Sequence, residues 1–174
     1  KYLVNKEFVI KSSRSAAIKG KISHAEKILR YSKKYKNSIN SSEYKLLKIL
    51  NVSQKNSLRA LRRLNVASRS LDDEQKKFAS MAVGSSLSGI THPSSLRLVK
   101  NGLSSVHKQP LYILESSARI ALRYGDWNLL KTVIEAMPLK TQKLPRWKYW
   151  EAQRLLAEGE KNKSVQLLDS IKPQ

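Results

Sequence analysis

Three aromatic residues within four positions, Trp147, Tyr149 and Trp150, are the first candidates for ligand binding. A flat aromatic ring can stack on the face of a sugar or of a nucleic-acid base. At about 100° per residue in a helix, Trp147 and Trp150 lie roughly 60° apart, whereas Tyr149 points nearly opposite Trp147. Because a stacking platform needs its rings on one side, the spacing instead predicts a buried helix. The predicted structural core includes Trp127, Trp147, Tyr149, Trp150, Leu155 and Leu156.

The second feature with chemical consequences is positive charge, which amounts to a net +21. Residues 1–70 contain 18 lysines and arginines against 3 glutamates, and residues 71–174 contain 16 against 10 acidic residues. Such a field attracts polyanions, namely nucleic acid, anionic glycan or an anionic membrane surface. A solvated lysine-rich surface explains the same charge and is the favoured interpretation. Against nucleic acid, the basic region has few aromatic residues and no recognised nucleic-acid module.

Metal and membrane chemistry find little support in the sequence. There is no cysteine, and His24, His92 and His107 have no second ligand three or four positions away, so neither a metal site nor a cofactor is predicted. No apolar run approaches the roughly 18 residues that span a bilayer. We therefore predict no membrane span, and the oligomeric state stays open.

The elements that must position these residues follow helical periodicity. Capping boxes are predicted at Ser23 with Glu26 and at Asp72 with Gln75. No alternating strand pattern of useful length appears, so the predicted fold class is all-α. One further helical face is marked by Leu96, Val99, Leu103 and Val106.

The C-terminal half contains a repeat of 34 residues. Gly125 and Gly159 coincide after this shift, and each is predicted to end a helix in the left-handed conformation. Asp126 and Asn162 are predicted to cap the helices that follow. Helix pairs at this period are typical of a tetratricopeptide-like α-solenoid, a right-handed superhelix of antiparallel helix pairs. We predict a single domain of this kind over residues 1–174, with the clearest repeats at 111–138 and 145–171.

Three motifs in this half resemble the helical region of bacterial soluble lytic murein transglycosylases. They are Gly125-Asp126, Met137-Pro138 and the segment Arg146-Trp147-Lys148-Tyr149-Trp150-Glu151-Ala152. The resemblance is good over residues 111–171 and weaker from residue 58, and the first fifty residues do not share it. It implies a helical superhelix that belongs to a longer chain, of which these residues are a fragment.

The resemblance also implies a periplasmic enzyme that acts on peptidoglycan. Members of that family cleave the bond between N-acetylmuramic acid and N-acetylglucosamine and leave 1,6-anhydromuramoyl ends. Their catalytic glutamate lies in a lysozyme-like domain after the superhelix, in a Glu-Ser-x-Phe motif followed by Gly-Leu-Met-Gln. Here Glu115-Ser116-Ser117 is followed by Ala118, and no Gly-Leu-Met-Gln occurs. We therefore predict no catalytic residue in this chain and expect the lysozyme-like domain C-terminal to it.

The leading functional hypothesis is a non-catalytic segment that shapes such an enzyme and helps to hold its glycan strands. A stand-alone solenoid adaptor that binds a protein partner is the first alternative, and a nucleic-acid-binding helical protein is the second. Basic side chains near the aromatic motif are candidates for contacts with peptide or muramyl carboxylates. These candidate glycan contacts are Lys140, Lys143, Arg146 and Lys148.

Overall fold

The computed structural model describes residues 6–34 and 41–171, and every regular element in these ranges is helical. The all-α prediction is confirmed. Short 3₁₀ segments lie at Ser68–Ser70, Leu87–Ile90 and Leu103–Lys108. The α-helices are α1 Lys6–Ile18, α2 Ile22–Lys34, α3 Ser41–Lys55, α4 Ser57–Ala67, α5 Asp73–Ser86, α6 Ser94–Asn101, α7 Leu111–Tyr124, α8 Trp127–Glu135, α9 Leu139–Gln142, α10 Pro145–Ala157 and α11 Lys161–Asp169.

Each helix packs mainly against helices close to it in the sequence. The most extensive contacts join α1 to α2, α3 to α4, α5 to α6, α7 to α8 and α10 to α11. Between these pairs, α2 contacts α3, α5 contacts both α3 and α7, and α8 contacts α10. The side chains between them form one continuous apolar cluster that runs from Val9 in α1 to Trp147 in α10.

Most of the local signals for helix ends act as the sequence predicts. Asp72 and Gln75 form the predicted capping box before α5. Gly125 and Gly159 both have positive φ, at 64° and 85°, and Asp126 caps α8 by accepting a hydrogen bond from the Leu129 backbone N–H at 3.0 Å. A carboxylate at a helix start satisfies a backbone donor that would otherwise lack a partner.

Two capping predictions are wrong. Helix α2 begins at Ile22, so Ser23 is its second residue, and Glu26 pairs with Arg30 and Asn51. Helix α11 begins at Lys161, so Asn162 lies inside it, and Glu160 at the cap position makes no side-chain capping bond. In both cases the helix starts one or two residues earlier than the cap-type residue suggests.

The helical face predicted between Leu96 and Val106 is divided by Gly102. A side chain at Gly102 would lie 2.5 Å from the carbonyl oxygen of Lys77 and 2.5 Å from Cβ of Met81. The backbone of α6 therefore ends in direct contact with α5, where only glycine fits. Leu103 and Val106 belong to the 3₁₀ segment that follows, which packs on α5.

The predicted core of α10 is only partly correct. Trp147 is 1% exposed and lies edge-on to Trp150, with ring centroids 4.6 Å apart; Trp150 and Trp127 are half-buried against the core. Tyr149 and Leu156 are wrong as core residues, because they are 50% and 56% exposed, and Leu155 is only half-buried. Tyr149 and Leu156 are seven residues apart and therefore lie on one side of α10, which remains partly exposed.

Candidate anion-binding groove

Helices α3 and α4 are separated by one residue, Asn56, and lie against each other. The Asn56 side chain accepts a hydrogen bond from the Arg59 backbone N–H at 2.9 Å, which starts α4 immediately after α3 ends. Residues at i, i+4 and i+7 of α4 are buried, namely Ala60, Leu64 and Ala67. This fixes the rotation of α4 and leaves its arginines on the remaining sides.

A groove of about 500 Å³ runs between these two helices. Five of the side chains that line it are cationic and none is acidic. Ile49, Val66 and Ala67 supply its apolar surface. Lys45, Arg59 and Arg62 are exposed, and Lys48 and Arg63 are half-buried. The cationic residues are Lys45 and Lys48 of α3 and Arg59, Arg62 and Arg63 of α4.

Two acidic residues of this part of the chain, Glu26 and Glu43, are already engaged elsewhere. Glu43 is 1% exposed and accepts two hydrogen bonds from Arg14 at 2.9 Å and one from Gln75 at 3.1 Å. These contacts tie α1, α3 and α5 together, and the hydrogen bond to Glu43 raises the pKa of Arg14. Glu26 is similarly bound by Arg30 and Asn51. Neither carboxylate is therefore available to neutralise the groove.

Within the described ranges, no ion pair involves any of the five groove cations. Lys48 has one further contact, since its ammonium lies 4.7 Å from the centre of the Tyr44 ring. Three of the five cations are arginines, whose planar guanidinium binds a carboxylate or a phosphate through two parallel hydrogen bonds. The arrangement is suited to hold an anion with more than one charge.

The predicted glycan contacts lie elsewhere, on α9 and the start of α10. Lys140 and Lys143 are exposed. Arg146 is paired with Glu115 at 3.6 Å, and the Lys148 ammonium donates to the hydroxyl of Ser170 at 3.0 Å. Two of the four are thus occupied by contacts within the chain, and glycan binding by this set stays a prediction.

Glu115 has the surroundings of a structural residue. It lies in the second turn of α7 rather than the first, its side chain is 30% exposed, and its nearest charged neighbour is Arg146. A general acid of this kind lies in an apolar, substrate-sized cleft, whereas Glu115 is partly exposed beside an arginine. Over the described residues, no cluster of three potential metal ligands occurs, and no helix has the length and apolarity to cross a bilayer.

Sequence reasoning noted the basic N-terminal half but missed the groove itself. A usable signal is present, because residues 44–71 contain seven lysines and arginines and not one acidic residue. The spacings 45/48 and 59/62/63 place each set on one side of its helix. What the sequence does not reveal is that Asn56 brings the two helices together and so merges the two sets.

Comparison with known proteins adds no assignment: no protein-family model matches the sequence, and no curated protein is significantly similar to it.

Proposed function

We propose that this chain is a non-catalytic helical scaffold of a peptidoglycan lytic transglycosylase, which acts in the periplasm and helps to hold glycan strands. One observation carries the proposal: the Arg-Trp-x-Tyr-Trp-x-Ala motif lies in a helix pair, α10–α11, whose two helices begin at the same offset from those of the preceding pair, α7–α8. Helices α7 and α10 begin at residues 111 and 145, and α8 and α11 begin at residues 127 and 161, so both offsets are 34 residues.

We further infer that the helix pairs form a right-handed superhelix of the tetratricopeptide-like type. Support comes from the sequence-local packing, in which each pair mainly contacts the pair before it and the pair after it. A curved array of helices next to a catalytic domain confines a long polymer and reduces the entropic cost of positioning it. In this proposal a lysozyme-like domain C-terminal to the scaffold supplies the catalytic glutamate.

The decisive experiment is to sequence the transcript that encodes this chain beyond the codon for Gln174. The proposal expects a Glu-Ser-x-Phe motif followed by Gly-Leu-Met-Gln in the same reading frame. A reading frame that continues into an unrelated domain would overturn it. In a second assay, the chain alone is incubated with purified murein sacculi, and chromatography should detect no released anhydromuropeptides.

A stand-alone adaptor remains the second candidate, and one surface favours it. A groove of about 590 Å³ lies between α7, α8 and α10, and Leu122, Trp127 and Leu156 give it apolar walls. Such a groove suits the apolar face of a partner helix. The transcript separates the two candidates, because an adaptor needs no catalytic motif after residue 174.

A further inference from the structure

The groove between α3 and α4 gathers five cations on one concave surface, and none of them takes part in an ion pair within the described ranges. Its cations project from two helices toward a shared space of about 500 Å³. The two described carboxylates of the first seventy residues, Glu26 and Glu43, are held by other partners. A solvated basic surface does not require this arrangement, whereas an anionic ligand would benefit from it.

The lining of the groove restricts the class of ligand. No aromatic side chain lines it, so it lacks the aromatic platform on which the bases of a single-stranded nucleic acid stack most strongly. Its volume suits a ligand of a few residues rather than a nucleic-acid duplex. Val66, which is 85% exposed, supplies most of the accessible apolar surface of the groove, and such surface can pack against the carbon–hydrogen faces of sugar rings. Cations beside apolar surface therefore favour a glycan that carries charged groups.

We propose that the α3–α4 groove binds a carboxylate-bearing glycan strand, with Lys48, Arg59 and Arg63 as the principal carboxylate ligands. Lys48 and Arg63 are half-buried, so they are better ordered and less screened than the fully exposed Lys45 and Arg62. Arg59 lies on the same flank of α4 as Arg63, four residues earlier. This inference rests on the proposed function for its biological ligand, although the groove can be tested separately.

The test compares two triple variants of the whole chain that lower its net charge equally. The first, K48Q/R59Q/R63Q, removes the proposed ligands. The second, R97Q/R119Q/K131Q, removes one lysine and two arginines that are exposed and take part in no ion pair within the described ranges. All six side chains lie on helix surfaces, and circular dichroism confirms that both variants remain folded.

Binding is measured by fluorescence anisotropy at low salt and at about 0.3 M salt, where the Debye length is roughly 6 Å. The probes are muropeptides with free stem-peptide carboxylates, the same muropeptides after amidation, oligogalacturonate and an oligodeoxynucleotide of equal charge. We expect amidation and the groove triple each to weaken muropeptide binding about tenfold or more, because each removes the charge-assisted hydrogen bonds. The control triple should change it less than about twofold.

Several outcomes would overturn the groove proposal. One is an equal loss of muropeptide affinity in the two triple variants, and another is the absence of binding to either glycan. The third is that the oligodeoxynucleotide binds through the groove more tightly than the glycans do. If oligogalacturonate binds through the groove and muropeptides do not, the groove proposal stands and the peptidoglycan function fails. If the transcript lacks the catalytic motifs and glycan binding persists, the scaffold proposal fails alone.

Discussion

The last two helix pairs of the chain, α7–α8 and α10–α11, correspond at an offset of 34 residues but bury different side chains. In α7, the face toward the core includes Ile113, Ser117 and Ile120, all at most 1% exposed. The corresponding residues of α10 are Trp147, Glu151 and Arg154. One apolar position is thus enlarged to tryptophan, and the next two are replaced by a glutamate and an arginine that bind each other.

The buried arginine is the clearest difference between the two pairs. Arg154 is 7% exposed and hydrogen-bonds to Glu151, with Nε to Oε2 at 2.9 Å, and to Glu158. The hydrogen bond to Glu151 and the additional one to Glu158 outweigh desolvation and raise the pKa of Arg154. At the corresponding position of α7, Ile120 has no polar side-chain group that needs a partner, and it lies within the apolar cluster.

The difference follows from the number of neighbours. Outside its own pair, α7–α8 packs against α5, α6 and α10, whereas α10–α11 packs chiefly against α8 and the four-residue α9. A helix that is covered on several sides can be apolar on several sides. The second pair, α10–α11, has fewer neighbours among the described helices. On one side of α10, Arg154 forms an ion cluster with Glu151 and Glu158, and Tyr149 and Leu156 remain exposed. The same repeat geometry therefore accommodates two kinds of packing.

The largest predicted effect comes from the tryptophan that replaces Ile113 in the second pair. We expect Trp147→Ala to lower the free energy of unfolding by about 3–5 kcal/mol, because the cavity it leaves is fully enclosed. Tyr149→Ala, two residues away and half-exposed, should cost less than about 1 kcal/mol. Urea unfolding followed by circular dichroism measures both. Similar losses for the two variants would contradict the assignment of Trp147 as the core anchor of α10.

The second prediction concerns the ion cluster. Arg154→Ile should cost about 2 kcal/mol, less than for a fully buried pair, because Glu151 and Glu158 are left without their partner but remain partly exposed. The triple variant E151S/R154I/E158Y installs the residues of α7 and should recover most of that loss, since no carboxylate is left unpaired. Urea unfolding of the single and triple variants measures the recovery. If the triple variant recovers none of the lost free energy of unfolding, the stability of α10 depends on the ion cluster itself and not only on the pairing of its charges.

The all-α fold class and the residues that cap or end the helices could be predicted, because both depend on local sequence. The glycine at positions 125 and 159 and the box at Asp72 each satisfy backbone groups within four residues, so their structural effect can be inferred without knowing the fold. The burial of α10 was not predictable to the same degree. Apolar residues around a helix indicate burial only if neighbours exist on every side, and the sequence does not show how many neighbours α10 has.

The positive charge of the candidate site could be predicted from the sequence, but the location of the site could not. The acid-free run from 44 to 71 marks the basic region, but the groove exists only because α3 and α4 pack together after Asn56. The predicted contacts near the aromatic motif were chosen from their closeness in sequence to that motif. The structure shows that Arg146 and Lys148 are engaged by Glu115 and Ser170, which lie 31 and 22 residues away in sequence. Contacts at this separation depend on tertiary packing.

The third prediction concerns the glycines that follow α7 and α10, a position at which the two helix pairs should behave alike. Gly125→Ala and Gly159→Ala should each cost about 1 kcal/mol, because both residues have positive φ and alanine is strained there. Neither site has a neighbouring atom within 4 Å of an added Cβ, so steric contact adds nothing in either pair. Thermal and urea unfolding should give equal losses within about 0.5 kcal/mol. A much larger loss at one glycine would show that the two turns are not equivalent.

The smallest predicted effect distinguishes the starts of α8 and α11. Asp126 caps α8 and also accepts a hydrogen bond from Lys100 at 2.7 Å, whereas Glu160 makes no capping bond. Burial acts to raise the pKa of Asp126, but the bonds from Lys100 and from the Leu129 N–H outweigh it and lower the pKa below 3.8. A carboxyl with a depressed pKa in the folded state stabilises the fold above its ordinary pKa, and this contribution is lost as the pH falls through the depressed value.

Asp126→Asn keeps the capping acceptor and removes the charge, so it isolates the electrostatic part of this contribution. We expect it to destabilise the protein by a few tenths of a kcal/mol at neutral pH, because Lys100 is largely exposed and the pair is screened. The gap between wild type and variant should narrow as the pH falls below about 4, since Asp126 then gains a proton in the unfolded state before it does so in the folded state. Urea unfolding at several pH values measures it, with Glu160→Gln as the control whose loss at neutral pH should be smaller than that of Asp126→Asn, because Glu160 makes no capping bond and is exposed. A gap that stays constant down to about pH 3 would mean that Asp126 acts through capping geometry alone, and the two helix starts would then differ only in one hydrogen bond.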